Sequence, residues 1–390
     1  MCYNPPMPFD FDTPIERRGT WSLRWDRYPG DVIALWVADT DFRAPPAVIE
    51  ALRARLDHGV LGYTAAPCEL REAICERMRR LYNWRIEPDW IVFLPGVVPG
   101  LHLAARHLLG PAEHALLPVP LYHHFRRALE RAPRDFTEVP LALSGGRWVF
   151  DEERLARALR RETRLLFLCN PQNPGGTIFT RAELARLAEF ALAHDLVICS
   201  DEIHCDLLLD PGKPHVPIAS LAPEVSQRTV TLASPTKAFN FPGVGCAWAV
   251  IEDAGLRRAF CTDEHATVPD PTLLGYVAAL AALREGAEWL AAELEYLRAN
   301  RDLVEREVAA MPGLAMAHVE ATFLAWIDAS GLGVADPHAH FLARGVALSP
   351  GAQFGAPQFV RLNFGTQRAR LADALARMRG EPRKQGPTRD

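Results

Sequence analysis

The chain has 390 residues, 49% of them apolar and 23% charged, with a formal net charge of −5. That is the composition of a globular protein long enough for a large core with a smaller companion, and it lacks the basic excess of a nucleic-acid binder. No stretch has the apolar length of a membrane span, and the start, "MCYNPPMPFDFDTPIERRGT", has no apolar signal core, so a cytoplasmic protein is expected.

In chain order, residues 1–45, rich in Pro, Asp and aromatics, read as an ordered arm packing on the C-terminal part. From about residue 90 to 250, near-continuous apolar runs alternate with helical patterns. "DWIVFL", "HALLPV", "RLLFLC", "DLVICS", "TVTLAS" and "GCAWAVI" have the character of strands covered on both faces. Among them lie the helical "VVPGLHLAARHLLG", "YHHFRRALERA" and "TRAELARLAEFALAHD", the last with Thr180 and Glu183 in capping-box spacing. The alternation predicts an α/β domain around a mostly parallel sheet, with its ligand at the carboxyl ends of the strands. A long helical pattern over 272–310 then leads to strand-like "ATFLAWID", helical "DPHAHFLARG", strand-like "FVRLNFG" and a last helix, "RARLADALARM". This is the pattern of a smaller α+β C-terminal domain. The expected division is an arm 1–45, a large domain 46–285, a small domain 286–380 and a polar, disordered tail 381–390. The eight cysteines form no CxxC pair, and several sit in apolar runs, which argues against a disulfide framework or a zinc site.

Chemistry is suggested first by Lys237. Of the 43 basic residues only three are lysine, and the other two, Lys213 and Lys384, stand in Gly/Pro-rich stretches. Lys237, in "LASPTKAFNFPG", follows a strand-like run and precedes an apolar turn. A desolvated ammonium becomes a nucleophilic amine, whereas a guanidinium stays charged, so a lysine kept in an arginine-rich chain points to covalent chemistry. The strand end "SDEIH" sets Asp201 three residues before His204, too few ligands for a metal motif. The turn "NPQNPGG" holds Asn173 at another strand end, and the helix opening near Val97, after Gly96, is a candidate phosphate site. Neither GxGxxG nor GxxxxGK[ST] is present where a nucleotide-binding loop needs it.

Together these elements resemble the fold-type I pyridoxal-phosphate enzymes of the aminotransferase class I/II family, and within it the MalY/PatB-type cystathionine β-lyases. The resemblance covers about residues 9–380. It is carried by the segment from "FDFDTPIERRGTWSLRWDRYPG" through "LWVADTDF" to "LGYT", then by "NPQNPGG", "SDEIHCDLLL", "SPTKAFNFPG" and "VRLNFG" in register. It implies that the domain 46–285 binds pyridoxal 5'-phosphate and that Lys237 forms a Schiff base with it. It further implies that Asp201 pairs with the pyridine nitrogen, that Asn173 bonds the phenolic oxygen with His204 nearby, and that Tyr122 stacks on the ring. Gly96, Val97, Ser234 and Thr236 would hold the phosphate, with Tyr63 reaching that of the neighbouring subunit in a homodimer. Arg361, with Asn173, would bind the substrate α-carboxylate. His123-His124 stands where the family commonly has two prolines, and Cys205 beside His204 is a second departure. The activity implied is β-elimination of a thiol from an S-substituted cysteine such as cystathionine. The alternatives are an aminotransferase or another elimination or oxidation on the same cofactor, and a non-catalytic regulator on this scaffold.

Overall fold

The computed structural model describes residues 9–262 and 267–381. Seven strands form the main sheet: β1 (Ile91–Leu94), β2 (His114–Val119), β3 (Asp135–Pro140), β4 (Thr163–Cys169), β5 (Val197–Asp201), β6 (Thr229–Ala233) and β7 (Ala247–Val250). Their spatial order is β1-β7-β6-β5-β4-β2-β3. All neighbouring pairs are parallel except the two that β7 makes with β1 and β6. Each residue of β1, β6 and β7 is buried, which is why these strands read as unbroken apolar runs rather than alternating ones.

The six apolar runs all form strands of this sheet. β3 carries no such run. It is an edge strand with one buried residue in six, "DFTEVP", so its sequence has no core face to display. Helices cover both faces of the sheet, among them α1 (Pro46–Asp57), α2 (Cys68–Tyr82), α3 (Val97–His107) and α4 (His123–Arg131). The helix Arg181–Ala193 opens on the expected capping box, Thr180 accepting from the Glu183 N–H. The long pattern over 272–310 is two helices, Leu273–Glu285 and Ala287–Ala309. They break at Gly286, where a Cβ would lie 2.6 Å from the Phe239 ring. The bend lets the second helix lean on the turn that follows Lys237.

Four short strands, Ala315–Met316, Leu324–Asp328, Phe359–Asn363 and Ser349–Pro350, make an antiparallel sheet in that order. The N-terminal arm joins this part of the chain, Ile33–Ala34 pairing in parallel with Val346–Ala347. Apart from Glu381, the tail expected to be disordered lies outside the described residues. Among the described residues no helix is long and apolar enough to cross a membrane.

Candidate active site

The loops after β1, β4, β5 and β6 all leave the same edge of the sheet, and between them, the arm and the second sheet is a cavity of about 600 Å³. Lys237 lines it, at the end of the turn that β6 runs into. Its Nζ donates to the Ala38 carbonyl of the arm at 2.6 Å. Burial lowers its pKa to about 8, helped by the Arg361 charge and opposed by Asp39 and Asp201.

Asp201, the last residue of β5, is buried and lines the same cavity. Burial lifts its carboxyl to about 7 although the Ile203 N–H donates to it at 3.0 Å. A cation set against it would bring the carboxylate back. His204 is also buried, neutral because burial drops its pKa to about 3, and its Nδ1 has no partner among the described residues. Ile203 lines the cavity too, whereas Glu202 faces elsewhere, accepting from Ser200 at 2.9 Å and meeting His215 at 2.8 Å. The triplet is thus split between two environments and offers no common metal shell.

Arg361 comes from the second sheet. One terminal nitrogen donates to Asn173 Oδ1 at 2.9 Å and the other to the Trp36 carbonyl at 3.1 Å. Its Nε is buried without a partner among the described residues, and burial lowers its pKa to about 10, so it remains a cation at neutral pH. Its guanidinium carbon stands 4.8 Å from the centre of the Phe354 ring. Tyr122 is the N-cap of α4 and lines the cavity, and His123 and His124 pack on its ring at 4.7 and 5.0 Å. Gly96 and Val97 open α3 onto the cavity, and Thr236 lines it too.

Two residues expected at the site lie apart from its lining. Ser234 sits behind Thr236, its hydroxyl 2.7 Å from that of Thr236 and donating to the Cys246 carbonyl at 2.6 Å. Tyr63, between α1 and α2, is fully exposed.

The sequence matches the family model of Aminotransferase class I and II over residues 30–378. The chain belongs to that family. It is 35% identical to cystathionine beta-lyase PatB of Bacillus subtilis over 383 residues, 95% of this chain and 99% of the relative. Its fold overlays the crystal structure of OvoB with a TM-score of 0.93 at 47% identity, covering 95% of this chain and 98% of the other. It also overlays cystalysin of Treponema denticola, whose structure contains pyridoxal 5'-phosphate, with a TM-score of 0.91 at 30% identity and 96% and 98% coverage. The fold is that of the fold-type I pyridoxal-phosphate enzymes.

The class I/II member described here has a cavity that fits pyridoxal 5'-phosphate. A buried acid near pH 7 suits a pyridine nitrogen, and a lysine with a lowered pKa suits an aldehyde. The unpartnered His204 Nδ1 and the Asn173 amide suit a phenolic oxygen. The first turn of an eleven-residue helix offers free N–H groups to a phosphate.

The arm's part in the site escaped the sequence reading. Asp41 is fully buried against the fully buried Arg24, and it accepts from Trp25 at 2.8 Å and Thr366 at 2.7 Å. Burial works against its charge, but Arg24 and Arg370 with these hydrogen bonds hold its pKa below the usual value. This knot sets the Ala38 carbonyl on Lys237 and the Trp36 carbonyl on Arg361. The signal lay in "LWVADTDF", whose acids had no visible partners because those partners are distant in sequence.

Proposed function

We propose that the protein is a pyridoxal-phosphate-dependent carbon–sulfur β-lyase, releasing thiol, pyruvate and ammonia from cystathionine or another S-substituted cysteine. The observation that carries the reading is the convergence of Lys237, Asp201, Asn173 and Arg361 on one cavity. The likeness over nearly the whole chain to a relative named cystathionine beta-lyase supports the choice of elimination.

When bound, the cofactor supplies an electron sink that makes the substrate Cα–H acidic. Lys237 would hold the aldehyde end, and with its amine free it would be the base within the cavity that takes the Cα proton. Its lowered pKa makes the free amine accessible near neutral pH. Arg361 binds the α-carboxylate in a fork, orienting the Cα–H bond, and Asp201 holds the positive charge at the ring nitrogen. The Cβ–S bond then breaks with its electron pair on sulfur, the thiolate takes up a proton, and water hydrolyses the remaining three-carbon fragment to pyruvate and ammonia. Tyr122 would stack on the ring and Gly96, Val97 and Thr236 would hold the phosphate, with Ser234 supporting Thr236 through their hydroxyl contact at 2.7 Å.

The reading includes a cytoplasmic homodimer in which Tyr63 reaches the partner's phosphate site. Its support is the exposed stretch between α1 and α2, with Val60 and Leu61 each 62% exposed beside Tyr63. The proposed division keeps the arm at 1–45, the large domain at 46–285 and the small domain at 286–380.

The test is stoichiometric. With cystathionine or an S-alkyl cysteine and no acceptor, the holoenzyme is expected to release thiol and pyruvate in equal amounts over many turnovers. Turnover that requires a keto acid and yields no thiol would make the protein an aminotransferase instead.

A further inference from the structure

The exposed rim of the cavity carries two guanidinium groups that the chemistry at Lys237 does not use. Arg127 lies on α4, three and four residues after His124 and His123, so the three share one helix face, and all three line the cavity. Its neighbour Arg126 turns away into an ion pair with Glu138. Arg127 has no ion-pair or hydrogen-bond partner among the described residues. Arg27 comes from the arm and stands 5.4 Å from the ring centre of Trp36, which also lines the cavity. It too lacks a carboxylate partner among the described residues, although Arg17, Arg18 and Arg24 of the same arm are all hydrogen-bonded. Among the described residues that line the cavity, the only carboxylate is Asp201.

The two histidines add donors and acceptors without adding charge. Burial, each other and Arg127 hold His123 at about 4, and burial and Arg127 hold His124 below the usual value. Besides Arg361, which suits an α-carboxylate, the wall of the cavity therefore carries two further guanidinium groups without a carboxylate partner among the described residues, beside neutral imidazoles, His123 reaching Phe354 on the Arg361 side at 6.3 Å.

We infer that Arg27 and Arg127, with His123 and His124, form a second anion subsite, selecting cysteine conjugates whose sulfur substituent ends in a carboxylate. This rests on the lyase reading for the identity of the substrate. Guanidinium is weakly hydrated and forked, which suits a carboxylate, and a cationic terminus in the same place would meet like charge with no acid among the described lining residues other than Asp201. Because both arginines are exposed, each is expected to contribute a several-fold rather than a thousand-fold preference.

The experiment compares S-carboxyethyl-L-cysteine with its amide, S-carbamoylethyl-L-cysteine, on the holoenzyme. Thiol release gives kcat/KM for each. Calorimetry gives Kd for the two analogues in which a methylene replaces sulfur and no thiol can leave. The acid is expected to be preferred by about tenfold, in KM rather than kcat and in Kd alike, with the preference narrowing at about 0.5 M salt. Arg127→Gln and Arg27→Gln are each expected to weaken the acid several-fold and leave the amide within about twofold. Equal binding of acid and amide by the wild-type protein, or equal weakening of both by the variants, overturns the subsite. Thiol release at the same kcat/KM from both would leave the lyase reading standing and remove the subsite. An Arg127-dependent preference in Kd with no thiol from either compound would sink the lyase reading and keep the subsite.

Discussion

Lys237 and Arg361 are cations in the same desolvated cavity, and burial acts on them to different ends. The ammonium is brought down to about 8, within reach of deprotonation, whereas the guanidinium at about 10 stays charged and waits for an anion. One site thus holds a base and a fixed positive charge, a division that two lysines could not keep. Capture of the cofactor aldehyde needs the neutral amine. In cofactor-free protein its rate is therefore expected to rise with pH and to level off above about 8, where an ordinary lysine would still be climbing at pH 10. The visible absorbance of the captured cofactor follows this directly. Lys237→Arg should capture none, and borohydride should then add no cofactor mass to the variant while adding it to the wild-type protein.

At the scale of elements, the site depends on an arm with only two residues of strand among those described, Ile33–Ala34. Beyond a few backbone bonds and the core contacts of Phe11, Trp25, Leu35 and Phe42, the arm is fixed by its buried ion-pair knot. Removing one partner of such a knot leaves the other charge buried and unpaired, at a cost of about 3–5 kcal/mol. Asp41→Ala is therefore expected to lower the unfolding free energy by about that amount, read by denaturant titration. It should also raise KM by withdrawing the Trp36 carbonyl that orients Arg361. Because Asp41 has a folded-state pKa below its unfolded value, its contribution is present above about pH 4 and is lost as the pH falls through the folded value. The elements that were legible in the sequence are those whose burial repeats along the chain: the six largely buried strands of the main sheet and the capped helix Arg181–Ala193. The edge strand Asp135–Pro140 and the break at Gly286 were not, since the first has little buried face and the second answers to Phe239, a residue 47 positions away.

Across the whole molecule, the proposed dimer has a consequence that separates it from a monomer. Lys237→Ala and Tyr63→Ala proteins, each inactive alone, should regain about a quarter of wild-type activity when mixed and allowed to exchange. Half the dimers would be hybrids, and each hybrid would carry one intact site of two. A monomer by analytical ultracentrifugation at assay concentration, fully active, would rule this out. By itself the sequence determined most of the strand and helix succession and the family, and it singled out several residues that the fold brings to one cavity. Lys237, Asp201, Asn173 and Gly96 all sit at strand ends, where local pattern and chemistry coincide. Only the tertiary structure decided that Arg361 meets Asn173, that carbonyls of the arm meet Lys237 and Arg361, and that Ser234 stands behind Thr236. It also decided that Arg127 faces the cavity while Arg126 turns to Glu138. Such contacts join residues as far apart as Trp36 and Arg361 and leave no periodicity in the sequence. Which of two adjacent arginines finds an acid is settled by how the sheet and helices pack.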